Sequence, residues 1–251
     1  MVYFVGAGSG AVDLITVRGQ KLLQSADVIV YAGSLVNPEL LKEAKCGCEI
    51  HNSAVMTLED VIEVLVKAAK ENKVVVRLHT GDPSIYGAIK EQMDCLKQHN
   101  IAFEVVPGVS SFCAAAAVLK AEYTLPNVSQ TVILTRMEGR TPVPEKESIE
   151  SLAAHQASMA IFLSSSMLEE LTEKLIRGGY NKDTKAAIVY KATWEDEKII
   201  RTTISKLKMS AEEANINRTA LILVGEFLSD DYERSLLYNP TFSHIYRKAE
   251  M

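Results

Sequence analysis

Short apolar runs alternate with segments of helical periodicity along the first half of the chain. The apolar runs predict four strands, at residues 2–5, 27–31, 74–79 and 102–106. The periodic segments predict helices over residues 16–26, 57–72 and 110–120, with a further helix after residue 87. Because unbroken apolar runs suit parallel strands that are covered on both faces, this rhythm predicts an α/β domain with a mostly parallel sheet.

The rhythm breaks at residues 121–129, and we place a domain boundary between residues 122 and 123. The second domain, 123–251, has strands predicted at 131–135, 159–163, 186–190, 198–203 and 220–224, and helices near 166–177 and 206–214. Its strands follow one another more often than those of the first domain, 1–122, so its sheet is predicted to be mixed. The expected fold class is therefore α/β, with two α/β domains.

The composition excludes several classes of function. With 27 Lys plus Arg against 32 Asp plus Glu, the net charge of −5 argues against a nucleic-acid partner. No apolar run approaches the roughly 18 to 20 residues of a membrane span, so no membrane partner is expected. Cys46, Cys48, Cys95 and Cys113 are too scattered for a disulfide framework, which predicts a cytoplasmic protein with reduced thiols. Cys46 and Cys48 with His51 lack a second ligand pair at zinc-site spacing, so no metal is expected.

Candidate chemistry begins at residues 6–11, Gly-Ala-Gly-Ser-Gly-Ala, directly after the first strand. The spacing resembles a dinucleotide-binding fingerprint, in which glycines let backbone N–H groups approach a pyrophosphate. That fingerprint also needs a carboxylate at the end of the second strand, whereas residues 31–34 read Tyr-Ala-Gly-Ser. Two interpretations of this loop stay open beside a catalytic one: a nucleotide-binding module, and a tight turn that only needs glycine.

Two more loops follow predicted strands. Residues 79–87 read His-Thr-Gly-Asp-Pro-Ser-Ile-Tyr-Gly, and residues 107–111 read Pro-Gly-Val-Ser-Ser. Asp82 can accept hydrogen bonds from an amine or hydroxyl of a ligand, or it can cap the helix that follows. Because ligands of open parallel sheets bind at the carboxyl ends of the strands, both loops are candidate ligand sites.

In this order the three loops resemble the tetrapyrrole (corrin and porphyrin) methylases, a family of S-adenosylmethionine-dependent enzymes. The likeness covers essentially the whole chain and includes further segments at residues 14–16, 131–136 and 218–225. Within the family, three stretches are similar to the precorrin-4 branch, which methylates carbon 11 of the macrocycle: residues 31–36, 133–142 and 190–197.

The resemblance implies an active cleft between the two α/β domains, a homodimer, and S-adenosylmethionine as the cofactor with S-adenosylhomocysteine as its product. The substrate it implies is a tetrapyrrole small molecule, precorrin-4 or its cobalt form, in cobalamin biosynthesis. The alternatives are a methylase acting on another ring carbon and a non-catalytic nucleotide-binding module.

Taken residue by residue, the resemblance implies cofactor contacts in all three loops and in the second domain. These positions are Ser9, Thr80, Gly81, Asp82, Ile85, Tyr86, Ser110, Ser111, Leu163, Ala192, Thr219 and Ala220. Ser9 stands where the family usually has proline, and Ala11 stands where many members have aspartate.

The implied chemistry needs no catalytic triad, because a sulfonium methyl group is already activated and the reduced macrocycle supplies a nucleophilic carbon. Alignment of the two reactants is worth on the order of 7 to 11 kcal/mol of barrier. No general base is assigned. We expect Arg136, Arg140 and Lys191 to bind the carboxylates of the substrate, since arginine pairs carboxylates bidentately. The alternative interpretation of these three cations is that they lie in a solvated loop or on the surface. His79 is the fourth substrate candidate, and its alternative interpretation is a hydrogen-bonded structural histidine.

Overall fold

The computed structural model describes residues 1–248, which form two compact units. Unit 1 comprises Met1–Ala114 together with the short segment Ala192–Glu195. Unit 2 comprises Ala115–Lys191 and the chain from Asp196 onward. Each unit is a five-stranded sheet with helices, so the two α/β domains expected from the sequence are confirmed. The domain boundary between residues 122 and 123 stays a prediction.

The sheet of unit 1 is parallel throughout, as the apolar runs predict. In spatial order its strands are β3 (Glu49–Asn52), β2 (Val28–Tyr31), β4 (Val75–His79), β1 (Val2–Gly6) and β5 (Phe103–Val106). The strand β3 is not predicted from the sequence, because it lies at the sheet edge and carries mostly polar residues with little burial. The central position of β1 places the first glycine loop between the loops that follow β4 and β5.

Helices cover both faces of this sheet. They are α1 (Val17–Ser25), α2 (Leu58–Lys70) and α3 (Ile89–Gln98). A fourth helix, α4 (Ser111–Leu119), begins in unit 1 and continues into unit 2. On one face Val75 packs in the same core as Leu65 of α2 and Leu96 of α3, and on the other face Leu78 packs with Leu23 of α1. The helix α2 begins at a capping box, because the Thr57 side chain accepts the Asp60 backbone N–H and the Asp60 side chain accepts the Thr57 backbone N–H.

The sheet of unit 2 is mixed, which confirms the second prediction of sheet type. Its spatial order is β6 (Val132–Arg136), β7 (Ser158–Phe162), β10 (Ala220–Val224), β8 (Lys185–Tyr190) and β9 (Lys198–Thr203). The pair β6 and β7 is parallel, and the other three pairs are antiparallel. The carboxyl ends of β6, β7 and β8 therefore lie at the same sheet edge as the amino end of β10.

Three helices pack on one face of this second sheet: α5 (Ile149–Ala153), α6 (Leu168–Arg177) and α7 (Leu207–Glu213). Ile161 and Ile188 of the sheet share one core with Leu171 of α6 and Leu207 of α7. The sequence does not predict α5, because a five-residue helix is too short to show a period. The segment from Ser229 to residue 248 contains a one-turn 3-10 helix (Leu236–Tyr238), short turns and one isolated bridge, between His244 and Arg247.

Candidate active site

The three glycine-containing loops of unit 1 pack directly on one another, backbone against backbone. They leave the carboxyl ends of the adjacent strands β4, β1 and β5. A Cβ atom added at Gly6 would lie 2.5 Å from the Gly81 carbonyl oxygen and 2.6 Å from Gly108 Cα. A Cβ atom at Gly108 would collide with the same carbonyl oxygen. Glycine is therefore required where the loops meet, and the three motifs form a single structural unit.

Three backbone N–H groups of the first loop are already used within the protein. Ala7 N donates to His79 O at 2.7 Å, Gly8 N to Gly81 O at 3.3 Å, and Ala11 N to Thr193 Oγ1 at 3.1 Å. No long helix begins at the loop, since α1 starts only at Val17. A dinucleotide fingerprint depends on free N–H groups and a helix N-terminus, so this geometry argues against the nucleotide-binding alternative.

Ser9 is buried, and both its polar oxygens are occupied by the segment Ala192–Glu195. Its hydroxyl lies 3.1 Å from Thr193 Oγ1, and its carbonyl accepts a hydrogen bond from Trp194 Nε1 at 3.0 Å. The structure therefore gives Ser9 a role in holding the first loop, where the sequence suggested a cofactor contact. Sequence reasoning missed Thr193 because about 180 residues separate the partners; the only signal was the resemblance over residues 190–197.

Asp82 connects the second loop to the third. Its Oδ1 accepts the Ser84 backbone N–H at 2.8 Å and the Ser84 hydroxyl, while Oδ2 accepts the Gly108 N–H at 2.9 Å. Partial burial, the largest single influence, raises the pKa of Asp82, but the hydrogen bonds from Ser84 and Gly108 together lower it. The helix α3 begins seven residues later, at Ile89, without a side-chain cap. Asp82 is therefore a loop-holding carboxylate and not a helix cap.

The other predicted residues of the second and third loops lie near this junction with different degrees of burial. Ser110 is buried at the start of the turn into α4, Ser111 and Ile85 are half-buried, and Tyr86 is 46% exposed. The hydroxyl oxygen of Thr80 is buried and has no hydrogen-bond partner among residues 1–248. A buried hydroxyl without a partner costs about 1–3 kcal/mol, so a ligand that bonded Thr80 would recover that energy.

His79 belongs to the core of unit 1. Its side chain is 3% exposed and stacks on Phe4 with ring centroids 6.0 Å apart. Burial, with a smaller contribution from the charge of Arg77, lowers the pKa of His79 to about 3, so the imidazole is neutral at physiological pH. The expected substrate contact stays a prediction that this placement does not favour, because a buried neutral ring offers neither charge nor ready access to a carboxylate. The structural interpretation of His79 is the one that the geometry favours.

The predicted residues of the second half share one edge of the sheet of unit 2. Arg136 ends β6, Leu163 follows β7, Lys191 follows β8, and Thr219 precedes β10 at Ala220. Lys191 N donates to Thr219 O at 3.1 Å, which joins two of these strand ends. Ala192, the next residue along the chain, is buried and belongs to unit 1.

The three candidate cations at this edge differ in how they are bonded. Arg136 donates to the carbonyl oxygens of Met137 and Thr141, each at 3.1 Å, and of Pro142 at 2.8 Å. Its guanidinium group therefore braces the loop that follows β6.

Lys191 donates to Asp196 Oδ2 at 2.6 Å, and this hydrogen bond is the main reason that the pKa of Lys191 is raised. Its ammonium group also lies 5.4 Å from the centre of the Tyr190 ring. Arg140 is exposed and has no hydrogen-bond or ion-pair partner in the part of the chain that the structure describes. Of the three cations, Arg140 is thus the one with its whole guanidinium available to a ligand.

Backbone strain occurs in the candidate loops of each unit. Twelve non-glycine residues of the described chain have positive φ, and six of these end helices or form a turn: Asn72, Asn100, Lys120, Asn127, Gln156 and Asn215. The other six all lie in the loops discussed above: Tyr86, Ala88, Leu163, Lys191, Thr193 and Thr219. Positive φ is a genuine outlier for β-branched residues such as Thr193 and Thr219, and such strain clusters at functional sites.

Two features are absent from residues 1–248. No group of three or more His, Cys, Asp or Glu side chains is arranged to hold a metal ion. None of the helices there is long and apolar enough to cross a membrane.

Comparison with known proteins identifies the class. The family model of the tetrapyrrole (corrin/porphyrin) methylases matches residues 1–208, so the chain belongs to that family. The predicted resemblance is confirmed, and with it the assignment of the chain to the methyltransferases.

Individual relatives within this family carry the names of particular methyltransferases. The cobalt-precorrin-4 C(11)-methyltransferase of Methanocaldococcus jannaschii is 55% identical over 99% of this chain and 96% of its own length. The precorrin-4 C(11)-methyltransferase of Pseudomonas aeruginosa is 44% identical over 99% of both chains. The X-ray structure of a cobalamin biosynthetic enzyme, cobalt precorrin-4 methyltransferase, matches with a TM-score of 0.89 at 49% identity, covering 91% of this chain and 95% of that one.

Proposed function

We propose that this protein transfers a methyl group from S-adenosylmethionine to carbon 11 of cobalt-precorrin-4 in cobalamin biosynthesis. The observation that carries the proposal is the 55% identity, over nearly the full length of both chains, to a relative named for that reaction. The cobalt form is preferred because the Pseudomonas aeruginosa relative, whose name gives precorrin-4 without cobalt, is less similar, at 44% identity.

The methyl donor fits the polar groups that the loops of unit 1 leave available. Thr80 presents a buried hydroxyl without a protein partner, and Asp82 keeps unused lone pairs beside the two loops it joins. Leu163, 65% exposed on a strained backbone, offers apolar surface of the kind that an adenine ring covers. The cofactor contacts proposed are those predicted from the sequence, except that Ser9 acts by holding the first loop.

The protein's contribution to the reaction is alignment. When bound, S-adenosylmethionine would supply an activated sulfonium methyl group for carbon 11 of the macrocycle, with S-adenosylhomocysteine as the leaving group. The packed glycine loops hold their backbone rigidly, since each is hydrogen-bonded to the next through Gly81 or Asp82. With rigid positioning of this kind, the reactants lose their orientational freedom on binding, so this entropy loss no longer adds to the barrier of the reaction. No residue is assigned a proton-transfer role.

The carboxylates of the macrocycle require cations from a chain whose net charge is −5. Arg140 is the direct carboxylate ligand, because its guanidinium is exposed and unpartnered within residues 1–248. Arg136 acts through the loop it braces, and Lys191 shares its charge with Asp196.

The protein is further proposed to be a cytoplasmic homodimer with domains 1–122 and 123–251 and without a nucleic-acid or membrane partner. The reducing compartment is supported by the four cysteines, all of which are free. The acidic net charge supports the absence of a nucleic-acid partner.

Calorimetric titration with S-adenosylhomocysteine tests the cofactor assignment, with NADH in a parallel cell. We expect micromolar binding of S-adenosylhomocysteine and no heat from NADH. Thr80→Val removes the buried hydroxyl without changing side-chain shape, and we expect it to weaken S-adenosylhomocysteine about 3- to 10-fold, the value of one neutral hydrogen bond. Binding of NADH alone would overturn the methyltransferase assignment.

A further inference from the structure

We propose that Thr193 and Trp194 form a clasp that positions the first glycine loop and, through it, the second loop that contacts the methyl donor. The clasp is defined as these two residues of the segment Ala192–Glu195 with their contacts to residues 9–11. Thr193 is a positioning residue, since it acts through the backbone of other residues. The inference rests on the proposed function only for the identity of the ligand.

The clasp holds the loop by three hydrogen bonds at consecutive places. Thr193 Oγ1 accepts the Ala11 N–H at 3.1 Å and lies 3.1 Å from Ser9 Oγ, and Trp194 Nε1 donates to the Ser9 carbonyl at 3.0 Å. One threonine hydroxyl thus joins a backbone donor to a serine hydroxyl. Since all these groups are partly or wholly buried, losing their partners would leave costly unsatisfied polar atoms.

Shape complements these hydrogen bonds at Gly10. A Cβ atom added there would lie 2.5 Å from Trp194 Nε1 and 3.0 Å from the Ala192 carbonyl oxygen. The indole ring therefore lies against bare backbone, and glycine is required for that approach. On the other side, Asn37 Nδ2 donates to the Gly10 carbonyl at 2.9 Å, so the loop is held from two directions.

The clasp itself is strained. Thr193 adopts φ of 71°, and Lys191 two residues before it adopts φ of 46°. A β-branched residue in the left-handed region persists only where surrounding contacts impose it. The hydrogen bonds of the Thr193 hydroxyl to Ser9 and Ala11 are among the contacts that hold this strained conformation in place.

The route to the second loop runs through Gly8. Gly8 N donates to Gly81 O at 3.3 Å, and Gly81 N donates to Gly8 O at 2.8 Å, which fixes the two loops as a reciprocal pair. Thr80 and Asp82 flank Gly81. If residues 9–11 became more mobile, the paired hydrogen bonds of Gly8 and Gly81 would therefore transmit that mobility to these two proposed donor contacts. The coupling must also work in reverse, because binding free energies between linked sites are reciprocal.

Trp194 provides a direct readout, because it is the only tryptophan of the chain. In Thr193→Val, which keeps the β-branched shape and removes the hydroxyl, we expect red-shifted Trp194 emission and easier quenching by acrylamide. We expect S-adenosylhomocysteine to bind this variant about 5-fold more weakly, a loss typical of one or two neutral hydrogen bonds. In the wild type, saturating ligand should protect Trp194 from quenching, and in the variant this protection should shrink.

Two further variants make the test specific. Thr193→Ser restores the hydroxyl and should recover wild-type emission and affinity. Ser9→Ala removes one bond of the clasp but keeps the bond from Ala11, so its effects should be smaller than those of Thr193→Val. The matched control is Thr203→Val, which removes an exposed threonine hydroxyl bonded to Ser205 and should change neither readout.

Wild-type emission, quenching and affinity in Thr193→Val would overturn the clasp and leave the proposed function untouched. If S-adenosylhomocysteine fails to bind the wild type, the proposed function falls, and the ligand-free quenching difference between wild type and Thr193→Val still decides the clasp. If Thr193→Val does not fold, Ser9→Ala replaces it, and unchanged Trp194 quenching in that variant would contradict the proposal.

Discussion

At the scale of single residues, the chemical type of a side chain does not by itself decide whether it binds a ligand or supports the protein's own loops. Ser9, Asp82 and Arg136 have side chains that can bind ligands, yet each directs hydrogen bonds to the protein's own loops. Thr80 has a buried oxygen that the described protein leaves unpartnered. The sequence predicted the chemical types at these positions, but a partner distant in sequence decides whether a side chain supports the backbone or meets a ligand.

His79 gives a prediction at this scale. Its pKa is near 3 in the folded protein because of burial and the nearby Arg77 charge, whereas an unfolded histidine titrates near 6.5. Below about pH 6.5 the unfolded chain therefore takes up a proton that the folded chain refuses, and stability falls as pH falls. Between about pH 7.5 and about pH 5 we expect His79 to account for about 2 kcal/mol of lost unfolding free energy.

Urea denaturation of the wild type and His79→Leu at both pH values measures that difference. The His79→Leu variant should lose less unfolding free energy on acidification than the wild type does. As a control, His155→Gln, at an exposed histidine, should show the same change of unfolding free energy with pH as the wild type. Equal pH dependence in wild type and His79→Leu would mean that the imidazole is not held neutral by its surroundings.

At the scale of elements, the strands and helices that carry the site were predictable, and the contacts between loops were not. Apolar runs and helical periodicity predicted β1, β4 and β5, and loops after such strands are where ligands of parallel sheets bind. The strand β3 was not predicted because it is a polar strand at the sheet edge, and the helix α5 was not predicted because it has only five residues. Loop packing through Gly6, Gly81 and Gly108 depends on tertiary approach, which no local pattern encodes.

The loop after β6 gives a prediction at the element scale. Arg136→Lys replaces a planar group that bonds three carbonyl oxygens by an ammonium that cannot span them, so the loop should loosen. Arg140→Gln should remove a carboxylate ligand and leave the loop intact. We expect both variants to raise the KM for the macrocycle about 10-fold without changing the affinity for S-adenosylhomocysteine.

Limited proteolysis distinguishes the two roles. The loop should be cut faster in Arg136→Lys than in the wild type, while Arg140→Gln should resist cleavage as the wild type does. A normal KM in Arg140→Gln would remove this residue from the substrate site, and normal protection in Arg136→Lys would show that the brace is dispensable.

At the scale of the whole molecule, the two sheets present their candidate residues in the same manner. In unit 1 the loops leave the carboxyl ends of parallel strands, and in unit 2 the residues gather at one edge of a mixed sheet. The fold class and the family follow from the sequence, since the family model matches residues 1–208. The choice of reaction among related methylases depends on whole-chain similarity, because no single side chain of the site specifies carbon 11.

The most direct test of the account is a methyl-transfer assay with purified protein, S-adenosylmethionine carrying an isotope-labelled methyl group, and cobalt-precorrin-4. The account predicts that the product gains one labelled methyl group, that magnetic resonance places it on carbon 11, and that S-adenosylhomocysteine forms in equal amount. A label on a different ring carbon, or no transfer from a protein that binds S-adenosylhomocysteine, would contradict it.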